Sequence, residues 1–356
     1  MRQGSAAGRQ AHEVVGLYGD PDTTWGICLE LGLSTPVDGA LVVERLAALV
    51  AAHPHLGPVP PVLAVPTGEW ERYRETAASA AYELGGPLLR VLLDGDGHVL
   101  VAAHHGVVDG LGLLAVAEAV CGVPLASQAR GIGDRPAPHS FLRSSLARVA
   151  EALLRPPPRF ESHHVGAVAE PTRGEHLAVQ TLPRCAAGTA ALGVAVAAAF
   201  AGWNTPRRGS AGQPLLVVGA SRRTAGELAP DRRTAYLRFR LDPSWDRDQV
   251  RAAFARVAPE PEFPETSAGG IGPRVTRLLR SRLGGTAQLS NLGVVESPGL
   301  DYAAMFPALS GPRAFAVGLV STTAATTLSL RTRGSEFSAA ETVELLDLIA
   351  AALRTG

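Results

Sequence analysis

The stretch from His104 to Gly110 reads HHGVVDG and brings two histidines and an aspartate close together in the chain. It follows an apolar, strand-like run and precedes a helix-like run, a place where a fixed backbone presents side chains to a crevice. A neutral imidazole held there can take a proton from a hydroxyl or an amine. We therefore predict that His105 is a general base and that Asp109 folds back under the loop.

Arg90 lies one predicted strand before this motif, among apolar residues, and is the predicted charge partner of Asp109. Such an ion pair would fix the geometry of the loop. The spacing of His104, His105 and Asp109 also permits a metal site. Adjacent residues of a strand point to opposite faces, however, so the two histidines cannot easily share one ion, and we expect no metal.

Composition excludes several classes of protein. The 356 residues carry 33 basic and 33 acidic side chains, and this zero net charge argues against a nucleic-acid partner. Every basic residue is arginine, which excludes a P-loop lysine and a Schiff-base lysine. No apolar run approaches the about 18 residues of a membrane span, and the first residues lack an apolar signal core, so we expect a cytoplasmic protein without a membrane partner. The scattered cysteines are predicted to be reduced core residues: Cys28, Cys121 and Cys185.

Strand-like and helix-like patterns alternate along the chain, which predicts an α/β protein of two similar lobes. The first half contains predicted strands at 25–33, 88–93 and 98–103 and helices beginning near residues 36–38, at 71 and at 111. The second half contains helices at 189–203, 245–258 and 338–355 and strands at 214–220, 234–241, 287–295, 315–321 and 326–332. A proline-rich segment, 155–175, is the predicted linker between an N-terminal lobe, 1–154, and a C-terminal lobe, 176–356.

Two other patterns have alternative interpretations. Residues 110–115 fit the dinucleotide pattern G-x-G-x-x-A, but no second strand ending in an acid follows, which disfavours a Rossmann unit. Arg222 and Arg223 follow a predicted strand, where they would either bind a phosphate group or lie solvated at the strand end. His163 and His164 lie in the predicted linker and are interpreted as solvated loop residues.

Four blocks of the chain resemble the superfamily of condensation domains and CoA-dependent acyltransferases, which is related to chloramphenicol acetyltransferase. The block from 82 to 114 contains HHGVVDG, similar to the family motif HHxxxDG, together with the arginine of GPLLR. VDGALVVERLAALVAAHPHL resembles an early helix of the family, and LSNLGVV resembles its SNxG strand. SLRTRGSEFSAAETVELLDLIAAAL resembles the closing strand and helix. The blocks occur in the family's order and extend over most of the chain.

The resemblance implies two chloramphenicol-acetyltransferase-like lobes, arranged in a V as a pseudo-dimer with a central tunnel. His105 would be the catalytic base and His104 a structural histidine, while Gly110 would let a pantetheine arm approach the backbone. Ser290 and Asn291 match the strand that faces the tunnel, where a hydroxyl or amide could donate to an oxyanion. The acyl donor would be a thioester on CoA or on the phosphopantetheine of an acyl or peptidyl carrier protein, with no permanently bound cofactor.

The leading hypothesis is an acyltransferase that forms an ester or amide from such a thioester in natural-product biosynthesis, as in the synthesis of nonribosomal peptides or antibiotics. A second hypothesis uses His105 for cyclisation, dehydration or epimerisation of a carrier-tethered substrate. A third is a non-catalytic module that recruits a carrier protein. The chain is shorter than typical members, and the compressed region between Val257 and Gln288 predicts a small or exposed acceptor. Because two lobes of one chain supply both tunnel walls, we expect a monomer.

Overall fold

The computed structural model of the chain describes residues 24–83, 85–162, 174–185, 187–208, 212–224, 227–261, 279, 282–309 and 315–355. In chain order its strands are β1 Gly26–Leu33, β2 Val62–Ala64, β3 Leu89–Leu93, β4 His98–His104, β5 Ala126–Ser127, β6 Glu175–Pro183, β7 Leu215–Ser221, β8 Thr234–Arg240, β9 Ala287–Glu296, β10 Leu300–Phe306, β11 Phe315–Ser321 and β12 Ala325–Arg333. Its helices are α1 Gly39–Ala52, α2 Trp70–Ser79, α3 Gly110–Cys121, α4 Phe141–Leu154, α5 Thr189–Arg208, α6 Arg247–Arg256 and α7 Ala339–Thr355, and a 3-10 turn spans Pro54–Leu56.

The first sheet has the strand order β10-β1-β4-β3-β2. The hairpin of β3 and β4 closes at a turn in which Asp94 Oδ1 accepts hydrogen bonds from the backbone N–H groups of Asp96 and His98, at 2.9 and 2.8 Å. Side chains of β3 and β4 alternate between the two faces of the sheet. Helices α1 and α3 cover one face, and α2 covers the other. This two-sided cover explains why β1 is buried along its whole length.

The second sheet has the order β6-β12-β11-β9-β7-β8, with β5 paired to β9. Helices α5 and α7 pack against it, and their apolar residues form one core with the inward side chains of the strands. Strand β8 follows the alternation typical of a sheet with one buried face: Ala235, Leu237 and Phe239 are buried, and the residues between them are partly exposed. The face opposite the core is therefore free to line a cavity.

Strands are exchanged between the two halves of the chain. Strand β10, from the second half, pairs antiparallel with β1, and β5, from the first half, pairs with β9. Arg331 of β12 is fully buried between the two sheets and donates to the carbonyl oxygens of Gly26 and Ala78, at 2.5 and 2.7 Å. Glu175 accepts from Nε of this arginine at 2.5 Å. These contacts join the first sheet, α2 and the second sheet.

The predicted strands and helices are confirmed, and so is the α/β class with two sheets. The prediction missed β2, β5, α4, β6 and β10. The predicted lobe boundary at 155–175 stays a prediction, and the exchange of β10 adds a feature that it did not contain. Within the described part of that segment, Phe160 is buried and stacks on Phe315 with ring centroids 4.1 Å apart. His163 and His164 lie outside the described residues.

Gly318 of β11 lies where the two sheets touch. A Cβ atom there would lie 1.8 Å from the carbonyl oxygen of Met305 on β10, which also accepts from the Ser329 hydroxyl. The backbone of Met305 on β10 and that of Gly318 on β11 would have to move apart. We therefore expect Gly318→Ala to destabilise the fold by about 2–4 kcal/mol. The matched control is Gly202→Ala in α5, where a Cβ meets nothing within 4 Å; there alanine should stabilise the helix slightly. Chemical denaturation measures both, and equal unfolding free energies would contradict the prediction.

In the part of the chain that the structure describes, no helix is both long and apolar enough to span a membrane.

Candidate active site between the two sheets

The loop from His105 to Asp109 is held between β4 and α3. The backbone N–H of His105 donates to the carbonyl oxygen of Trp25 at 2.8 Å, which extends the pairing of β4 with the first sheet by one residue. Asp109 is the N-cap of α3, and its Oδ1 accepts from the N–H of Gly112 at 2.8 Å. Strand and helix cap therefore fix both ends of the loop, as the strand-to-helix position of the motif predicts.

The His105 ring is held in one orientation and one tautomer. Its Nδ1 lies 3.0 Å from the carbonyl oxygen of Val108, which can only accept, so Nδ1 carries the hydrogen. In the neutral ring Nε2 is then an acceptor, and it lies 3.1 Å from the hydroxyl of Tyr236 on β8. The nitrogen that can take a proton thus points across to the second lobe.

The pKa of His105 is lowered from the ordinary 6.5 to about 4, first because the ring is buried and second because of the positive charge of Arg232. Both causes penalise the protonated ring. The hydrogen bond to Val108 and the charge of Asp109 oppose them but do not prevail. His105 is therefore neutral at physiological pH, which is the form that a general base requires.

We expect the His105 ring to stay neutral as the pH falls through 6.5, and to take up a proton only as the pH approaches its lowered pKa of about 4. Histidine side-chain nitrogen NMR recorded across this range would follow the titration. The His105→Gln variant, which lacks the imidazole, assigns the signal. A midpoint near 6.5 in the folded protein would show that the ring is not held as described.

His104 has a different environment, although it is the neighbouring residue. Its Nδ1 accepts from the backbone N–H of Gly106 at 3.0 Å, and its ring meets the edge of Tyr82 at a centroid distance of 5.4 Å. It is buried, with 1% of its surface exposed. These contacts support the predicted structural role of His104. Within the described ranges, no group of three His, Cys, Asp or Glu side chains has the arrangement of a metal site.

Asp109 pairs with Arg223, from the loop after β7, and not with Arg90. Nη1 of Arg223 lies 2.6 and 2.7 Å from the two carboxylate oxygens of Asp109, and the Arg233 backbone N–H donates to Oδ2 at 2.8 Å. Nη2 of Arg223 donates to the carbonyl oxygen of Asp231 at 2.6 Å and pairs with the carboxylate of the same residue. Arg223 is 1% exposed. It is therefore neither a phosphate ligand nor a solvated strand end, so both interpretations offered for it are wrong.

The predicted pairing of Arg90 with Asp109 is wrong because Arg90 lies on the other face of the first sheet. Strand alternation directs it towards α2, where Nη1 donates to the carbonyl oxygen of Ala77 at 2.9 Å and Nη2 to that of Ala81, just after the helix, at 2.7 Å. Its guanidinium also lies 3.8 Å from the centre of the Tyr82 ring. Tyr82 in turn contacts His104. Arg90 therefore contacts the motif indirectly, through Tyr82 and His104, and not through Asp109.

Ser290 and Asn291 of β9 lie near the 104–110 motif, but their side chains differ in their hydrogen bonds. The Asn291 amide nitrogen lies 3.2 Å from the Thr189 hydroxyl, and its oxygen accepts from the N–H of Gly293 at 2.8 Å. Its amide is thus engaged in holding β9. Ser290 Oγ lies close to the motif, 4.0 Å from where a Cβ of Gly110 would stand. The absence of a side chain at Gly110 keeps the space between the start of α3 and β9 open, since a Cβ would lie 2.9 Å from Leu292 Cδ2.

A cavity of about 1210 Å³ is lined by residues of both halves of the chain, among them His105, Gly110, Tyr236, Ser290 and Asn291. Among the described residues that line it, Asp109 is the only acidic one, and its carboxylate is already paired with Arg223. The lining also includes the arginines Arg130, Arg135, Arg184, Arg247 and Arg251, of which Arg251 is paired with Asp248 at 2.6 Å. This excess of positive charge favours an anionic group in the cavity.

Cys185 also lines the cavity, whereas Cys28 and Cys121 are buried as free thiols, as predicted.

The sequence patterns do not identify Tyr236 as a site residue, nor Arg223 as the partner of Asp109. Tyr236 falls on the polar side of an alternating strand, and this pattern shows that it leaves the core but not what it meets. Arg223 is visible in the sequence as part of an arginine pair, but Asp109, with which it pairs, is 114 residues away in the chain. Only the packing of the two lobes brings these side chains to the motif.

No profile of a known protein family matches the chain, and no curated protein matches its sequence. Solved structures do match it. The first condensation domain of the calcium-dependent antibiotic synthetase has a TM-score of 0.55 at 15% identity, with 94% of this chain and 91% of that chain covered. The starter condensation domain of rhizomide synthetase, solved with C8-CoA and Leu-SNAC, has a TM-score of 0.57 at 14% identity and coverages of 98% and 92%. The cyclization-docking bidomain of EpoB from Sorangium cellulosum has a TM-score of 0.54 at 14% identity and coverages of 98% and 83%.

These identities are low, whereas the coverage is nearly complete on both sides of the comparisons. The expected architecture is thereby confirmed. This chain has the two-lobed, chloramphenicol-acetyltransferase-like α/β fold of condensation domains.

Proposed function

We propose that the protein is an acyltransferase that forms an ester or amide from an acyl thioester, with His105 as the general base. The observation that carries this proposal is the state of His105: a neutral ring at the wall of the cavity whose Nε2 is an acceptor. A base in this state accepts a proton from a neutral hydroxyl or amine as that group attacks a carbonyl carbon.

The reaction balances without a further reactant. The acceptor's O–H or N–H proton passes to Nε2 of His105 while its oxygen or nitrogen bonds to the thioester carbonyl carbon. The tetrahedral intermediate then collapses, the carbon–sulfur bond breaks, and the leaving sulfur takes the proton from Nε2. Products are the ester or amide and a free thiol. The Ser290 hydroxyl, next to Gly110, is the proposed hydrogen-bond donor to the intermediate's oxyanion.

The acyl carrier is proposed to be CoA or the phosphopantetheine of a carrier protein. Both carry a phosphate on a pantetheine arm, which suits a cavity whose lining includes five arginines and a single, already paired acid. The rhizomide synthetase domain, similar in fold, was solved with an acyl-CoA. Synthesis of a natural product, such as a nonribosomal peptide or an antibiotic, is the proposed context.

The test is thiol release from a panel of acyl-CoAs and acyl-loaded carrier proteins, with and without small amines and alcohols. We expect acceptor-dependent release from at least one donor class, with the ester or amide identified by mass spectrometry. Turnover that leaves the acyl group on its carrier, seen as solvent deuterium uptake, loss of water or ring closure, would favour the second hypothesis, in which His105 moves a proton within a tethered substrate. Carrier-protein binding with no chemistry on any donor would favour a recruitment module.

A further inference from the structure

Tyr236 meets the catalytic nitrogen of His105 from the opposite lobe. It lies on β8, on the side of the strand that faces away from the second core, and it lines the cavity together with His105. Its hydroxyl oxygen is 3.1 Å from Nε2. Among the described contacts of the His105 ring, Val108 holds Nδ1 and Tyr236 holds Nε2, so both ring nitrogens are engaged.

The direction of this hydrogen bond follows from the tautomer. Nδ1 donates to the Val108 carbonyl, so in the neutral ring Nε2 offers a lone pair and the phenol must donate. Burial raises the pKa of Tyr236 above the ordinary value of 10.0, so the phenol keeps its proton at physiological pH. A ring nitrogen has one lone pair, and here the phenol occupies it. The phenol thus stands where a nucleophile's O–H or N–H would have to stand.

We propose that Tyr236 caps Nε2 of His105 in the free enzyme, so that water is not activated there and only an acceptor that takes the phenol's place is deprotonated. This inference rests on the proposed function and adds a positioning residue to it. The reaction that the cap suppresses is hydrolysis of the donor. Water would give a proton to Nε2, its oxygen would bond to the thioester carbonyl carbon, the carbon–sulfur bond would break, and the sulfur would take the proton from Nε2. An acid and a thiol would result.

The Tyr236→Phe variant removes the hydroxyl and keeps the ring, so that Nε2 becomes open to small molecules in the cavity. The cap itself is tested without any substrate, by treating the protein with diethyl pyrocarbonate and following the modified histidines by peptide mass spectrometry. We expect His105 to be modified several-fold faster in Tyr236→Phe than in the wild type. His98, whose side chain is 42% exposed, is the internal reference and should react equally in both. Equal rates at His105 would overturn the proposal.

The consequence for chemistry is measured as thiol release from a donor thioester in the absence of acceptor. We expect Tyr236→Phe to hydrolyse the donor several-fold faster than the wild type, and the double variant with His105→Ala to lose this gain. Tyr302→Phe on β10 is the matched control and should leave hydrolysis unchanged. If hydrolysis and transfer fell together in Tyr236→Phe, the tyrosine would be a support of the fold and the cap would be refuted. If no donor reacts with any variant, the acyltransferase proposal fails, while the modification rate of His105 still decides the cap.

Discussion

Replacing His105 with alanine is expected to lower acceptor-dependent thiol release by about 10²–10⁴-fold, the usual contribution of a positioned general base. The reason is the neutral Nε2 at the cavity wall. Among the described lining residues, the Tyr236 phenol has a raised pKa and the one carboxylate, Asp109, is paired with Arg223, so neither replaces this base. Initial rates of thiol release with saturating donor measure the effect.

Two further variants separate the loss of the base from a loss of folding and from the loss of a histidine elsewhere. His105→Gln retains a side chain that can still hydrogen-bond to the loop but cannot act as a base, and it should lose activity to the same extent with an unchanged unfolding transition. His98→Ala, at the start of β4 and away from the cavity lining, should behave as the wild type. A His105→Ala protein that is folded and keeps more than about one-tenth of the wild-type rate would exclude the general-base role.

Replacing Arg223 with methionine is expected to destabilise the fold by about 3–5 kcal/mol, the cost of leaving a buried charge without its partner. Asp109 is 4% exposed, and its carboxylate would lose both hydrogen bonds from Nη1, while the carbonyl oxygens of Ala229 and Asp231 would each lose one of their donors. Because Asp109 caps α3, the loop that carries His105 should also loosen, and activity should fall even at temperatures where the variant is folded. Denaturant unfolding followed by circular dichroism gives the free energy.

The double variant Asp109→Asn with Arg223→Met removes both charges and keeps a helix-capping side chain. It should be more stable than Arg223→Met alone, because the uncompensated carboxylate is gone. Arg72→Ala is the surface control: its ion pair with Glu69 involves a side chain that is 67% exposed, and its loss should cost about 1 kcal/mol or less. If Arg223→Met cost no more than Arg72→Ala, the buried pair would not be what holds the loop.

The site depends on both lobes. His105 and Asp109 come from the first lobe, and Tyr236, Arg223 and Ser290 come from the second. The His105 tautomer is set locally, by the carbonyl of Val108 three residues on, but its base nitrogen faces a side chain 131 residues away. Small changes in the packing of the lobes would therefore move the His105 ring relative to Tyr236 without altering the motif. The exchanged strand β10 and the buried Arg331, which join the two sheets, oppose such movement.

The sequence alone determined the local features of this protein. The alternation of strand and helix patterns predicted most elements and the α/β class, since periods of two and of about 3.6 residues are set by the backbone itself. The motif at residues 104–110 predicted a loop between a strand and a helix with His105 as its reactive group, because both neighbours of the loop are visible in the sequence. The four family-like blocks predicted the two-lobed fold, which the solved structures of similar fold confirm.

Only the tertiary structure decided which side chains meet. Arg90 was the nearest arginine by strand order, but it lies on the face of the sheet that α2 covers, and the partner of Asp109 proved to be Arg223 from the other lobe. Strand β10 has an apolar pattern that suits either sheet, and its place beside β1 follows from packing rather than from its own residues. Tyr236 reaches His105 for the same reason. Periodicity reports what a segment buries, whereas the identity of its partner depends on how two separately patterned surfaces fit together, and no short window of sequence contains that information.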